Sequence, residues 1–535
     1  MSFTFHTTSD PAKIRQVYAV CGTEWGSEIF TPDEFGDAEL VRHKYTLDQG
    51  SPVQVFYLED QHGKIVASTA LTQSKGFYKD ADRSHAISSI PDPALFGVKN
   101  VHFLVIGYVF TLKEHRGNGL ATLLVGKAIE HTENAIISQK IAESDPAKND
   151  SFKNMVTSDG QVDRQLANYY LGKQYFWVLY SAVGNYYEKF GFKGYPLDFY
   201  KVPLSVAGPD QERLIEQLLH LNNAPTQETV GKKLRLLHGS NPADQELIQY
   251  ILQGKELEIM TELNKLITHS ELQGDRRSSS SLANLSDMLY SRRGSSATGL
   301  SGITEDVGHS APRRQSSMVT STIPKVSIKP SYAHYRGHHL VSMIAAEKLP
   351  HKEASTKWFD VNGAIFTNEL QHKSYYILWH TLMGKTFFVL GMGELSFEPV
   401  GVLGGPAAGG RRRGSSFTGL NELGGHNFQD LDILLSVACH VARQRHTRHD
   451  SVVVSTNDLP SHIPGPVLHD YFLNYLPKNF ENVHEPGAEA DPKSKVEFIT
   501  DAPTKLLVLP MLKKFGSNSP EFDLDWNTNS MLSWG

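Results

Sequence analysis

The sequence predicts an α/β fold followed by a second, α+β unit, and three observations carry that expectation. Val101 to His131 opens with β-branched and aromatic residues, passes through a polar, glycine-bearing turn at His115 to Gly119, and becomes apolar-periodic from Leu120, which reads as strand, tight loop and helix. Gln174 to Phe192 gives another buried strand, at Tyr175 to Tyr180, followed by a short helix. The signals change beyond Pro203, and 535 residues are enough to bury more than one core.

In chain order, Ser2 to Phe5 is a first strand, and Asp10-Pro11 starts a helix whose apolar face is Ile14, Val17, Tyr18 and Cys21. Thr31-Pro32 starts a second helix, with carboxylates facing the positive end of its dipole. Val53 to Leu58 and Lys64 to Leu71 form a strand pair around a turn at Asp60 to Gly63. Val101 to Thr111 is the central strand, and Ser138 to Lys173 is too long and polar for an ordinary connection, so it is an excursion. Helices are expected at Gln211 to Leu221, Gln227 to Leu237 and Asp244 to His269.

Gly274 to Ser321 is dominated by Ser, Arg and Gly. It is expected to be disordered, because it cannot bury enough apolar surface to offset ordering entropy. Gly404 to Gly425 is a second low-complexity insertion. Between and beyond them, Tyr375 to Trp379, Thr386 to Leu390, Val452 to Ser455 and Lys505 to Leu509 are strand candidates, and Leu431 to Gln444 is helical by pattern. The expected organisation is a domain over 1–203, a helical start of the C-terminal domain over 204–273, a linker over 274–325 and the remainder over 326–535, interrupted at 404–425.

Composition narrows the function. A formal net charge of −6 argues against general nucleic-acid binding. Cys21 and Cys439 cannot make a disulfide framework and suit a reducing compartment. No stretch approaches a membrane span, and the start lacks the regions of a signal peptide, so no membrane partner and a cytoplasmic location are expected. His440, His446 and His449 with Arg443, Arg445 and Arg448 read as a solvated basic helix end. No cysteine or carboxylate cluster completes a metal site there, and His338-His339 likewise lacks partners. No metal is expected.

The turn spells Arg116, Gly117, Asn118, Gly119, Leu120, Ala121, an R-x-x-G-x-A pattern. Glycines let successive amides turn inward where a helix begins, so an anionic phosphate can sit on the main chain. A plain strand-to-helix turn would use similar residues. The pattern resembles the acetyl-CoA loop of the GNAT N-acetyltransferase superfamily, and Tyr186-Tyr187 with Gly191-Phe192 is similar to that family's [FY]-Y-x-x-x-G-[FY] segment. Glu24-Trp25, Val109-Phe110-Thr111, Leu179-Tyr180-Ser181, Tyr376 to His380, Trp526-Asn527 and Trp534 further resemble the fungal L-lysine N6-acetyltransferases.

The resemblance implies a mixed central sheet flanked by helices, acetyl-CoA as cosubstrate, and direct acetyl transfer to the ε-amine of free L-lysine at the entry to lysine breakdown. It further implies that the main chain of Val109, Phe110 and Thr111 pairs with the pantetheine arm, and that Arg116, Gly117, Asn118, Gly119, Leu120 and Ala121, with Thr122 in the first helical turn, hold the pyrophosphate. Tyr187 takes the position of the family's acid, though a packed aromatic is the alternative. His102 is a candidate base or a structural strand histidine, Glu24 a substrate contact or a surface carboxylate, and Trp25 a pocket wall or core residue. Rival readings are acetylation of a polyamine or a protein N-terminus, and a non-catalytic acetyl-CoA-binding scaffold. Arg-Arg-x-Ser tracts at Ser279, Ser295, Ser316 and Ser415 suit a basophilic kinase that would regulate the protein, and drift in Ser/Arg-rich linkers is the alternative.

Overall fold

The computed structural model describes all residues except 1, 27–28, 81–97, 145–154, 158–160, 220–225, 227, 265–266, 269–317, 320–322, 350–351, 381–385, 396–427, 446–448, 461–462, 478–494, 527–528, 530 and 534–535. Nearly all of Gly274 to Ser321, all of Gly404 to Gly425, the four Arg-Arg-x-Ser serines, His446, Asn527 and Trp534 therefore lie outside the described residues.

The first part of the chain runs β1 (Thr4–Thr8), α1 (Pro11–Trp25), α2 (Pro32–Asp48), β2 (Val53–Glu59), β3 (Ile65–Lys79), β4 (Val98–Thr111), α3 (Leu120–Glu143), α4 (Arg164–Leu171), β5 (Tyr175–Ser181), β6 (Lys193–Gly194) and β7 (Phe199–Pro203). It continues with α5 (Pro209–Leu219), β8 (Lys232–His238), α6 (Pro242–Asn264), β9 (Ile267–Thr268), β10 (Met318–Val319), β11 (Lys325–Ile328), α7 (Tyr332–Ala346) and α8 (Lys352–Phe359). The last part holds β12 (Val361–Asn368), β13 (Lys373–Trp379), β14 (Phe387–Leu395), α9 (Gln429–Gln444), β15 (Ser451–Ser455), α10 (Gly465–Asp470), β16 (Glu497–Ile499), α11 (Ala502–Lys505), β17 (Leu509–Lys514) and β18 (Asp525–Trp526).

Local chemistry sets the first helices. The Asp10 side chain accepts from the Ala12 amide, and Thr31 and Glu34 form a reciprocal capping box behind Pro32. Alternation then decides the layers of the first sheet. Phe56, Leu58 and Val66 bury toward α3, whereas Val55, Tyr57 and Ile65 bury toward α1.

The two large sheets share one plan. The first has the order β1-β2-β3-β4-β5-β17-β6, and only β4 and β5 in that series run parallel. The second has the order β8-β12-β13-β14-β15-β7-β16, and its parallel pair is β14 and β15. The sixth place in each sheet is filled by a strand from the other half of the chain: β17 lies beside β5, and β7 lies beside β15. The expected boundary at residue 203 therefore does not separate two self-contained sheets.

Several expectations change. α3 runs on to Glu143, so the excursion from Ser138 begins as helix. Gln227 to Leu237, expected helical, instead supplies β8, which pairs with β12. The strand expected at Lys505 to Leu509 is β17, displaced to Leu509–Lys514. The helix end expected to be solvated is packed inside the protein. His440, Arg445 and His449 are buried, with the Arg445 guanidinium between the Phe359 and Phe387 rings and donating to the Trp358 and Val361 carbonyls. Among the described residues no helix is long and apolar enough to cross a membrane.

Candidate active site

β4 and β5 are hydrogen-bonded only from His102 to Val105 against Tyr175 to Val178. Beyond that they part, and the reason lies in β4. Its register against β3 steps from Ala70–Gly107 to Ser68–Phe110, one residue more on β4 than on β3, and Tyr108 sits at φ 55 in the left-handed region that non-glycine residues seldom enter. Past this bulge the end of β4 stays paired with β3 through Phe110 and Thr111 while it parts from β5.

The wedge that opens has a volume of about 680 Å³. Its walls are Ile106 to Thr111 on one side and Leu179, Tyr180, Ala182 and Val183 on the other, with Tyr186 and Tyr187 beyond them. At its far end lies the turn before α3. Gly117 and Gly119 hold φ of 83° and 72°, and a Cβ at either would meet nothing within 4 Å, so the turn is open to its surroundings. The first backbone bond of α3 is Leu123 N–H to the Gly119 carbonyl at 3.0 Å, and Gly119 provides no side-chain cap. The amides of Gly117, Gly119, Leu120, Ala121 and Thr122 consequently have no acceptor among the described residues. Behind them stand 24 residues of helix with an aligned dipole. Main-chain donors, a dipole and absent side chains suit a diphosphate, so the residues present fit the phosphate end of acetyl-CoA.

Two cations flank the turn. Lys189 donates from Nζ to Thr122 Oγ1 at 2.6 Å and lies 3.6 Å from the centroid of the Tyr186 ring. Arg116 is committed locally. Its Nε donates to the Thr111 carbonyl at 3.0 Å, its Nη2 pairs with Glu24, and its guanidinium lies over the Phe110 ring. Glu24 thus braces the turn from the end of α1. Trp25 is 48% exposed and sets its ring edge-on to Phe110 at 5.5 Å, so it forms a cleft wall and not core.

Tyr187 lines the same wedge from a 3-10 helix at Gly184–Phe190. That turn is fixed by Ser181, whose hydroxyl donates to the Gly184 carbonyl at 2.7 Å and accepts from the Val183 amide at 3.1 Å. The Tyr187 ring is buried against Phe190 and Phe192. Burial, and then the neighbouring Tyr186, push its pKa well above the ordinary tyrosine value.

His102 is not part of the wedge. It lies in the paired portion of β4, six residues before Tyr108 and hence ~20 Å along the strand. Its Nδ1 is hydrogen-bonded to Gln73 Nε2 at 2.8 Å, and its ring stacks on Tyr175. Burial, then Lys140 and Lys75, lower its pKa. His102, one candidate base, therefore lies outside the wedge, stacked and hydrogen-bonded within the paired strands.

Tyr108 and Lys189 are the lining and flanking residues that sequence reasoning missed. A glycine inside a strand, Gly107, was the available signal for a bulge. Lys189 sits inside the matched segment but at one of its unspecified positions.

One bulged strand, its splayed parallel neighbour and a helix that begins on unengaged amides settle the architecture. The first sheet has the splayed parallel pair and the strand–turn–helix expected of a GNAT fold. No family model matches the sequence. Over 177 residues it is similar to the lysine acetyltransferase of Yarrowia lipolytica, with 27% identity covering 31% of this chain. The match spans 40% of that relative's length. Solved GNAT and acyltransferase structures are also similar in part. A probable N-acyltransferase from Enterococcus faecalis matches at a TM-score of 0.35 and 7% identity, over 96% of this chain and 73% of that one. A GCN5-related N-acetyltransferase from Kribbella flavida matches at 0.31 and 9%, over 96% and 72%. A tandem GNAT protein from the clavulanic acid biosynthesis pathway matches at 0.30 and 9%, over 85% and 90%.

The GNAT turn makes a direct prediction. Gly119→Asp should weaken acetyl-CoA binding at least about tenfold, since it forces a side chain into a left-handed position and sets a carboxylate beside the amides meant for an anion. Calorimetric titration with acetyl-CoA checks this, with circular dichroism as the folding control.

Proposed function

We propose that this protein transfers the acetyl group of acetyl-CoA to the ε-amine of free L-lysine, by direct attack in a ternary complex. The observation that carries the reading is the wedge between β4 and β5, because it runs from a free strand edge to unengaged amides at the start of α3. When bound, acetyl-CoA supplies an acetyl group activated as a thioester.

The chain's own groups do the rest. Val109, Phe110 and Thr111 offer main-chain donors and acceptors along the edge that β5 leaves unpaired, as an exposed sheet edge receives an added strand. The turn from Arg116 to Thr122, with Lys189, holds negative charge and fixes the depth of the acyl group in the wedge. A lysine ε-amine has a reference pKa of about 10.4, so it must shed a proton before it can attack. As the thioester C–S bond breaks, Tyr187, which burial keeps protonated, donates its proton to the leaving sulfur, and the proton that the amine sheds to water restores the phenol. Lysine as the acceptor is supported by the similarity to the Yarrowia lysine acetyltransferase and by the sequence resemblance to the fungal enzymes.

Purified protein incubated with acetyl-CoA and separate free amines tests the proposal. CoA release should be fastest with L-lysine. Faster release with spermidine or a peptide N-terminus would replace lysine as the acceptor, and acetyl-CoA binding without turnover on any amine would leave a scaffold.

A further inference from the structure

A second, smaller chamber lies behind the bulge, where α2 of the first unit meets α7 of the second. It is lined by Arg42 from α2, Thr72 from β3, Gly107 and Tyr108 from β4, and His334 and His338 from α7. Its volume is about 30 Å³, room for about two waters or the three heavy atoms of a carboxylate. The helices come this close because Gly337 faces the Arg42 stem, where a Cβ would lie 3.0 Å from Cγ.

The chamber's cation is Arg42, and the Glu39 carboxylate beside it carries the opposing charge. Arg42 is 14% exposed, its Nε pairs with Glu39 Oε2 at 3.0 Å, and its Nη1 meets His338 Nε2 at 3.3 Å. Glu39 Oε2 also accepts from the Tyr108 hydroxyl at 2.6 Å, which fixes the carboxylate and, through it, the plane of the guanidinium. These contacts use Nε and Nη1 of a group with five N–H donors. Nε2 of His334 is shut off from solvent and has no hydrogen-bond partner among the described residues. Burial, then Arg42, lower the pKa of both His43 and His334 to about 4, so both imidazoles are neutral at pH 7 and Arg42 supplies the positive charge.

The chamber and the acyl cleft share two lining residues. Gly107 and Tyr108 line both, and a Cβ at Gly107 would meet nothing within 4 Å, so no side chain fills the space at that point of β4. A guanidinium with donors to spare beside an imidazole lacking a partner is a site for a planar oxyanion.

We infer that the chamber receives the carboxylate of the acceptor, so that the protein selects amines carrying a carboxylate at the other end of an alkyl chain. The inference rests on the acetyl-transfer reading and deepens it. With the carboxylate against Arg42 and His334, the alkyl chain passes Gly107 and delivers the amine to the cleft. A site of this kind rejects an analogue without the carboxylate, because its own buried groups are then left unpaired.

Steady-state acetylation of L-lysine, 6-aminohexanoate and 1,5-diaminopentane tests it without any variant. The two carboxylates should be used at least about tenfold better in kcat/KM than the plain diamine. His334→Ala should raise KM for lysine at least about fivefold and shift KM for the diamine far less, with thermal melting as the folding control. Equal use of lysine and the diamine by the natural protein, or an equal effect of His334→Ala on both, overturns the inference while acetyl transfer stands. Should no amine be acetylated, calorimetry on CoA-saturated protein separates the two ideas. Lysine binding without diamine binding keeps the subsite, and equal or absent binding removes it.

Discussion

Tyr187→Phe is expected to lower kcat by about 10²- to 10⁴-fold, the range for loss of a positioned proton donor, while acetyl-CoA affinity stays within about twofold. The contrast follows from position. The ring packs against Phe190 and Phe192, and phenylalanine keeps that packing, so the change removes the hydroxyl and little else. Stopped-flow acetylation paired with calorimetric titration checks both halves, and unchanged turnover removes Tyr187 as the acid. The pH profile carries a second signature. Burial raises the Tyr187 pKa, so the hydroxyl keeps its proton as pH rises through the range where a free tyrosine would lose it. Activity should therefore show no alkaline loss from this group below about pH 10.

Expression of residues 1–203 alone should give no cooperatively folded protein. Such a fragment keeps β7, which has no sheet of its own to join, and lacks β17, which pairs with β5 over Leu509–Ser181 to Lys514–Phe176. Leu509, Met511 and Leu512 are at most 3% exposed, and removing each forfeits about 1.5–3 kcal/mol of burial. The sum approaches the whole stability of an ordinary domain, about 5–15 kcal/mol. Circular dichroism with thermal melting and limited proteolysis would show it, and a fragment with a sharp melt would refute the expectation.

Local chemistry made part of this legible. Asp10-Pro11 and Thr31-Pro32 announce helix starts because a capping side chain and the amide that donates to it lie within three residues of each other. The Arg116 to Ala121 turn is legible for the same reason, and so is Tyr187 within its short motif. What failed was set by distant partners. Leu234, Leu236 and Leu237 fit a helical or an extended period, and the choice is made by β12, more than a hundred residues later. Lys513 is wholly buried, where it meets Glu133 and the Ser517 carbonyl, and a lysine in mid-strand disguises β17. His102 was credible from residue type alone, but the pairing of β4 with β5 carries it away from the wedge. The junction of Arg42 with His334 and His338 joins residues nearly three hundred positions apart, which no motif could announce.

The placement of β17 also sets a clock on synthesis. Between Ser181 and Lys514 the ribosome must add 333 residues (514 − 181), which at about 5–20 residues per second takes roughly 20–70 s. Throughout that interval the outer edge of β5 stands bare in the nascent chain, together with the wedge it borders. Holding that edge away from other strands is then a task for chaperones or for slow compaction, until Leu509 to Lys514 have been made and can pair with it.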